Sequence, residues 1–365
     1  MAVAAKYGGG GTHPDELPTL LKVPTMTPQK GQDWASYRAS VEATLDPLRE
    51  ELKQLMGVEA TKLVAGNALA ASLRPAQIQK LGADGRIDMV ELDPLVYLEM
   101  MDDAYRDVNV PTFRTNHPTL DGSGVKVAVL DSGVDDQHPY LSVSASVSTC
   151  GEPTSLPGSH GTHCAGSIAS RDKLFRGVAP AVDLINVKVL RANGTGQHSF
   201  ITQGDDEALD RDAEVLSMSI GFNQLPTWSQ GGHGWNCANG HCPLCTAVDN
   251  AVTLDSVVVV VAAGNEHQRA DILRTFGHPV STELGCPGHA REALTVGAVT
   301  KAPFHVAPFS SHGPTRYKLN KPDLCAPGVN ITSTIPVPRT AGGALVQSPA
   351  RNLLFGRSSG TSMAT

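Results

Sequence analysis

The stretch that decides the fold is Val127-Ala128-Val129-Leu130-Asp131-Ser132-Gly133. Its near-continuous apolar run is typical of a strand that is buried on both faces of a parallel sheet. Asp131 follows the run directly, so we expect it at the carboxyl end of the strand, where open α/β sheets form their binding crevices. Taken alone, an aspartate at this position is more often a turn residue than a functional one.

Apolar runs of the same kind alternate with helical patterns from about residue 115 to the end of the chain. The predicted strands are 125–130, 183–190, 215–220, 257–262 and 293–299, and the predicted helices are 161–170, 201–210 and 247–254. This alternation predicts an α/β fold, with a mostly parallel sheet and helices on both faces.

The part of the chain before residue 115 differs in composition and in the spacing of its apolar residues. Residues 1 to about 31 are polar and rich in Gly, Pro and Thr, which predicts a flexible arm. Apolar residues at helical spacing predict a helix over 34–56, which Pro47 could kink or split. The predicted division is 1–57 for the arm and helical segment, 58–100 for a small α/β unit, 101–114 for a linker and 115–365 for a large domain.

Composition excludes several classes of function. Apolar residues make up 41% of the chain and charged residues 18%, with a net charge of -7, so a globular protein is expected. The sequence has no basic block that would indicate a nucleic-acid partner, and no apolar run approaches the roughly 18 residues of a membrane helix. The N-terminus lacks a secretory signal pattern, which predicts a cytoplasmic protein, or a secreted one if the true N-terminus lies upstream.

Three further motifs place polar side chains beside small residues. His160 lies in Ser159-His160-Gly161-Thr162-His163-Cys164-Ala165-Gly166, Asn265 ends Val261-Ala262-Ala263-Gly264-Asn265, and Ser362 lies in Gly360-Thr361-Ser362-Met363-Ala364. The first is expected at a helix start, the second at a strand end and the third at a loop-to-helix junction. Each motif alone is also compatible with an ordinary surface histidine, a turn asparagine or a helix cap.

Together, the order Asp131, His160, Asn265, Ser362 resembles the subtilisin-like serine peptidases, or subtilases. The resemblance rests on the four motifs and on weaker matches that cover about residues 115–365, at 177–180, 187–190, 217–221, 309–314 and 321–328. It implies a serine endopeptidase in which Ser362 attacks the peptide carbonyl and His160 transfers the proton. Asp131 would orient His160, and Asn265 with the Ser362 amide would hold the oxyanion.

The resemblance also implies where a peptide substrate binds. Ser219, Ile220 and Gly221 should pair with one side of an extended peptide, and Gly194, Thr195 and Gly196 with the other. Ala262, Ala263 and Gly264 should line the pocket for the residue before the cleaved bond. Small residues in that wall predict a preference for large apolar or aromatic side chains.

The unit at 58–100 resembles the inhibitory propeptide of the same family. This resemblance implies a ferredoxin-like fold that assists folding and blocks the cleft until it is cut after Leu98, between about 100 and 115. Its small apolar content predicts marginal stability alone. The alternative is an unrelated accessory domain.

The sequence departs from the family pattern at its end and at one calcium position. Only three residues follow Ser362, where the family continues with a buried helix, so this polypeptide is expected to be inactive or poorly folded. No cofactor is expected for the chemistry. Structural calcium is possible at an unknown site, although Tyr140 occupies the expected acidic position.

The seven cysteines leave other functions open. Cys237, Cys242 and Cys245, with His233 and His241 nearby, have a spacing that allows zinc, but a disulfide in a surface insertion or reduced thiols are favoured, and no metal site is predicted. Cys164 and His163 are expected to be packing residues rather than a thiol nucleophile and a base. The alternatives to a peptidase are a non-catalytic peptide-binding scaffold and a metal-binding module.

Overall fold

The computed structural model describes residues 16–26, 28, 32–93, 95–98, 107–222, 240, 242–277, 280, 282–315, 318–340 and 343–365. Outside the described residues lie most of the predicted arm, the start of the predicted linker and cleavage region, and Cys237 with His233 and His241. None of the helices within the described ranges has the length and apolar character needed to cross a membrane.

The described residues form seven α-helices and sixteen strands. The helices α1 to α7 are Trp34–Met56, Pro75–Leu81, Val110–Asn116, Ser159–Ala169, His198–Leu209, Pro243–Asp255 and His267–Thr275. The strands β1 to β16 are Leu17–Lys22, Ala60–Leu63, Ala68–Leu73, Met89–Leu92, Leu95–Leu98, Lys126–Asp131, Val143–Ser148, Asp183–Lys188, Gly196–Gln197, Val215–Met218, Ile220–Gly221, Val258–Ala262, Leu294–Val299, Leu324–Pro327, Ile331–Thr334 and Phe355–Ser358. Two single-turn 3-10 helices span Arg351–Leu353 and Thr361–Met363.

A small N-terminal unit contains β1 to β4 with α1 and α2. Its strands form an antiparallel sheet in the order β2-β3-β1-β4. The chain order β-α-β-β-α-β on this sheet is the ferredoxin-like arrangement that was predicted. Val41 and Leu45 on α1 are fully buried. The helix continues through Pro47 without a break, so the expected split does not occur.

The prediction of a flexible arm over residues 1 to about 31 is wrong for Leu17–Lys22. These residues form β1, an inner strand that pairs with β3 on one side and β4 on the other. Leu20 and Leu21 are fully buried, because pairing with distant strands supplies the core that the local composition does not indicate. The small unit therefore begins at β1 rather than at residue 58, and it includes α1.

The large domain is built on a seven-stranded sheet in the order β14-β13-β12-β10-β6-β8-β7. All six neighbouring pairs are parallel. Along β6, Ala128 and Leu130 face a core shared with α5 and α6, whereas Val127 and Val129 face a second core shared with α4. The predicted parallel sheet with helices on both faces is confirmed.

The small unit docks on α5 and α6 of the large domain through its β2–β3 turn. The backbone amides of Val64 and Ala65 donate to the two carboxylate oxygens of Asp206 on α5, at 3.0 and 2.8 Å. The side-chain amide of Asn250 on α6 donates to the Ala65 carbonyl at 2.7 Å. These buried bonds fix the unit to the helices that cover one face of the seven-stranded sheet.

Candidate active site

Asp131 is the last residue of β6, which lies in the interior of the seven-stranded sheet between β10 and β8. Its side chain is fully buried at the carboxyl end of the strand, as the sequence predicted. The backbone amide of Ser132 donates to Asp131 Oδ1 at 2.6 Å. The carboxylate is therefore held in one orientation by the turn that follows it.

His160 lies in the first turn of α4, directly against Asp131. Its Nδ1 is 2.9 and 2.8 Å from the two carboxylate oxygens of Asp131. A Cβ at Gly161 would lie 2.7 Å from the Gly133 carbonyl oxygen, so only glycine allows α4 to begin this close to the turn after β6. The small residue beside His160 thus brings the imidazole to the carboxylate.

The electrostatics of this pair favour a charged imidazole. Burial alone would lower the pKa of His160, but the charge and hydrogen bonds of Asp131 hold that pKa well above its usual range. Nε2 of His160 is buried and has no hydrogen-bond partner within the described part of the chain. A buried polar atom without a partner is rare in folded proteins, and Nε2 is the atom through which His160 can exchange a proton.

Ser362 lies in the 3-10 turn after β16 and is buried. Its Oγ donates to the Ser219 carbonyl at 2.8 Å, and Ser219 Oγ donates back to the Ser362 carbonyl at 2.5 Å. The serine hydroxyl is therefore bonded to the residue between β10 and β11, which is predicted to bind peptide, rather than to His160.

Cys164 lies between His160 and Ser362. Its Sγ is 3.8 Å from His160 Nδ1 and 4.0 Å from the Ser362 carbonyl oxygen. The side chain is buried, as predicted, but the contact with His160 was not anticipated. The spacing of four residues on one helix was the signal, because it places both side chains on the same face.

Asn265 is brought next to Ser362 by the turn after β12. Gly264 has a φ of +106°, a conformation that favours glycine, and its amide donates to Thr361 Oγ1 at 3.1 Å. The Thr361 amide donates to Asn265 Oδ1 at 2.9 Å. Since Oδ1 accepts that bond, the Nδ2 group is the end of the side chain that is left to donate.

Ala262 and Ala263 lie beside this turn and are fully buried. The Gly285 amide donates to the Ala263 carbonyl at 2.9 Å, which joins the end of β12 to the 282–288 segment. The three residues predicted to form the pocket wall, Ala262, Ala263 and Gly264, are thus joined to that segment.

An extended segment of the chain already lies between the two predicted peptide-binding strands. β5 pairs antiparallel with β11, with Leu98 opposite Ile220 and Tyr97 opposite Gly221. On its other side β5 pairs with β9, through Val96 and Gly196. Of the residues predicted to bind peptide on this second side, Gly196 pairs with β5. Gly194 and Thr195 lie in the preceding turn, in which the Arg191 amide donates to the Thr195 carbonyl at 2.8 Å.

His163 is a packing residue on the buried face of α4, as its position inside the helix predicted. Burial is the main cause that lowers the pKa of His163 to about 3, with a further contribution from the charge of His160. The ring is therefore neutral near pH 7.

The residues around Tyr140 do not fit calcium. The Tyr140 ring packs 5.6 Å from that of Phe355, centroid to centroid. The nearby carboxylate of Asp135 accepts from the Val337 amide at 2.7 Å and lies 3.4 Å from Arg339. An aromatic contact and a carboxylate bound to protein donors are not an oxygen cage for a hard cation.

The structure contradicts the prediction that Cys242 and Cys245 lie in a surface insertion. Cys242 and Cys245 begin α6 and are fully buried. The sequence placed them in a polar region with Cys237, which lies outside the described residues. Helix α6 packs into the core shared with α5, and this burial removes its first turn from the surface.

An apolar groove of about 480 Å³ lies beneath Ser362 on the α4 face of the sheet. Val127, Ile331 and Met363 are among its lining residues. Met363 is itself buried in the core on this face. The expectation that this polypeptide is inactive or poorly folded stays a prediction.

Comparison with known proteins gives a consistent result. The model of the subtilase family matches residues 122–365. Subtilisin E of Bacillus subtilis is 34% identical over 306 residues, which cover 82% of this chain and 68% of that protein. The serine protease AprX of the same species is 33% identical over 321 residues, which cover 82% of this chain and 67% of that protein.

A third relative is the intracellular serine protease of Paenibacillus polymyxa, which is 34% identical over 255 residues, covering 67% of this chain and 64% of that protein. The family match spans the whole parallel sheet and every residue of the site described above. The chain therefore belongs to the subtilase family and is a serine-type endopeptidase.

Proposed function

We propose that the chain hydrolyses peptide bonds with Ser362 as nucleophile, His160 as general base and acid, and Asp131 as the residue that orients His160. The observation that carries this proposal is the buried pair of His160 Nδ1 with both carboxylate oxygens of Asp131, at 2.9 and 2.8 Å. The pair fixes the tautomer with the proton on Nδ1, so Nε2 is the basic nitrogen.

The reaction begins when the Ser362 hydroxyl turns from the Ser219 carbonyl to His160 Nε2. Nε2 takes the hydroxyl proton while Oγ bonds to the peptide carbonyl carbon, and the imidazolium that results is stabilised by Asp131. Nε2 then gives this proton to the leaving amine. Water repeats the sequence to release the acyl group and restore the serine.

The oxyanion of each tetrahedral intermediate is held by Asn265 Nδ2 and the backbone amide of Ser362. The bond from the Thr361 amide to Asn265 Oδ1 supports this role, because it orients the donor end of the side chain before the reaction starts. A donor that is already oriented needs no reorganisation when the charge develops.

The peptide substrate binds as an added strand between β11 and β9. The pairing of β5 with both strands supports this proposal, because it demonstrates that the gap accepts an extended backbone. The residue before the cleaved bond enters the pocket walled by Ala262, Ala263 and Gly264. These small side chains leave room for a large apolar or aromatic side chain.

The small N-terminal unit acts as an internal inhibitor of the peptidase. The strand that follows the unit in the chain, β5, occupies the position proposed for the substrate, and the unit's β2–β3 turn is bonded to Asp206. Cleavage between about residues 100 and 115 would separate the unit from the large domain. Release of β5 then opens the cleft.

The proposal is tested with casein and with a quenched peptide that carries an aromatic residue before the cleaved bond. Once the N-terminal unit has been cleaved off, the chain should cleave both, the Ser362→Ala variant should cleave neither, and His160→Ala should lose most of the activity. Equal activity in the Ser362→Ala variant would overturn the assignment of the nucleophile.

A further inference from the structure

Three buried cysteines meet behind the wall of the substrate pocket. Cys242 and Cys245 lie at the start of α6, and Cys286 follows Gly285 of the pocket wall. Cys286 Sγ is 3.5 Å from Cys242 Sγ and 3.6 Å from Cys245 Sγ. The three sulfur atoms all lie within 4.8 Å of one another. The sequence offers the first two as a Cys-x2-Cys pair, but only the fold adds Cys286.

The spacing of the sulfur atoms is that of ligands around one metal ion. Tetrahedral Zn²⁺ with Zn–S bonds of about 2.3 Å places two sulfur ligands roughly 3.8 Å apart. A disulfide would require about 2.05 Å. The two separations from Cys286 Sγ, 3.5 and 3.6 Å, are close to the value expected for ligands of one ion and much longer than a disulfide bond.

Rigid elements hold all three ligands in place. Cys242 caps the start of α6, and its Sγ accepts from the Cys245 amide at 3.4 Å. Cys286 is fixed by two backbone bonds with Phe222, of 2.8 and 3.1 Å. Ligands on preformed elements lose little conformational entropy when an ion binds.

A positive charge from the N-terminal unit lies close to the cluster. Lys22 Nζ donates to the hydroxyl of Thr246, the residue after Cys245, at 2.8 Å. Burial lowers the pKa of Lys22, and the charges of Cys242, Asp88, Glu91 and Cys245 act in the opposite direction. The lysine thus offsets part of the charge of a tris-thiolate site, which would otherwise be costly in a buried position.

We propose that Cys242, Cys245 and Cys286 bind one thiophilic ion of the Zn²⁺ class, in a site separate from the Asp131–His160 pair. The ion joins the start of α6 to the Phe222–Cys286 bridge, which continues from β11 and borders the substrate pocket. Its role is structural, because it fixes the pocket wall. Among the residues that the structure describes, no fourth His, Cys, Asp or Glu has a ligand atom within 4.8 Å of all three sulfur atoms.

The test uses the full chain with Ser362→Ala, so that self-digestion and peptidase activity play no part. The protein is purified under reducing conditions, its metal content is measured by elemental mass spectrometry, and the metal-free form is titrated with Co²⁺ and Zn²⁺. We expect one equivalent of zinc. Co²⁺ should give a near-ultraviolet sulfur-to-cobalt charge-transfer band that Zn²⁺ abolishes.

Matched cysteine variants identify the ligands. Removal of a residue that only hydrogen-bonds to a metal ligand lowers metal affinity by roughly 10- to 100-fold. Cys286→Ser and Cys245→Ser remove a ligand itself, so each should weaken zinc binding by more than this. Cys325→Ser, at an exposed position on β14, should bind as the parent does. Circular dichroism checks that each variant is folded.

Two outcomes overturn the proposal. One is a folded parent protein that binds neither Zn²⁺ nor Co²⁺ under reducing conditions. The other is full metal binding in both the Cys245→Ser and Cys286→Ser variants, which would assign the ion to other residues. The titration of the parent protein decides the question even if a variant fails to fold.

Discussion

The hydrogen bonds at Asp206 allow a direct test of how the N-terminal unit is held. Replacement of Asp206 by Ala removes the acceptor for the backbone amides of Val64 and Ala65, which donate at 3.0 and 2.8 Å. Both of these residues are buried, so neither amide can turn to solvent while the unit stays docked. The variant should therefore favour an opened β2–β3 turn.

The magnitude follows from two opposing effects. Each buried amide without an acceptor costs about 1–3 kcal/mol, so the pair costs about 2–6 kcal/mol. Burial also raises the pKa of Asp206 to about 7, so the charged carboxylate is itself held at a cost that alanine avoids. The net loss should lie near the lower end, at about 3 kcal/mol, which corresponds to about 100-fold more opening.

Hydrogen exchange measured by mass spectrometry tests this on the chain with Ser362→Ala. In the Asp206→Ala variant, the peptide that contains the β2–β3 turn should exchange about 100-fold faster at pH 8, if exchange follows local opening. Glu207→Ala is the matched control, because Glu207 is the next residue on α5 and pairs with Arg211 in a partly exposed i,i+4 ion pair. Unchanged protection at Val64 and Ala65 in the Asp206 variant would refute the reasoning.

Three further predictions concern catalysis and pH. Asn265→Ala should lower kcat with little change in KM, because the amide donor acts on charge that develops after binding; steady-state kinetics that show a higher KM and an unchanged kcat would contradict this. The pKa of His160 is raised, and a general base must be neutral to accept a proton. The value of kcat/KM should therefore rise with pH through an apparent pKa above 6.5. A profile that is flat from pH 6 to 9 would exclude His160 as the base. Burial raises the pKa of Asp93 to about 7, so docking takes up a proton and should weaken as pH rises from about 4 to 7, by up to about 4 kcal/mol. Melting temperatures of the Ser362→Ala chain across this range should show the loss. Asp93→Asn should make the slope shallower without removing it, because the pKa of Asp206 is also raised to about 7; the same slope in both proteins would exclude Asp93 as a source.

The residues of the site could be predicted from local sequence, because each lies in a short motif of its own. The apolar run of β6 ends at Asp131, and the small residues after His160 permit the close start of α4. Asn265 and Ser362 likewise have small neighbouring residues, which allow the backbone segments around them to pack closely. In each case the side chain's position depends on a few residues beside it, which a sequence pattern can report.

Features that depend on distant strands could not be read in this way. β1 is a short apolar segment inside a polar region, and its burial comes from pairing with β3 and β4. Cys286 joins Cys242 and Cys245 only because Cys286 and Phe222 pair across the sheet edge. The position of β5 between β11 and β9 likewise depends on how two units dock, and no local pattern encodes it.

The measurement that tests the central claim most directly is labelling of the chain by a fluorophosphonate, with the adduct located by mass spectrometry. The account predicts a single adduct on Ser362, which is absent in Ser362→Ala and strongly slowed in His160→Ala. Asp206→Ala should label faster than the parent, because an opened N-terminal unit exposes the cleft. An adduct on another residue, or equal labelling in the His160→Ala variant, would contradict the assignment of Ser362 as a nucleophile activated by His160.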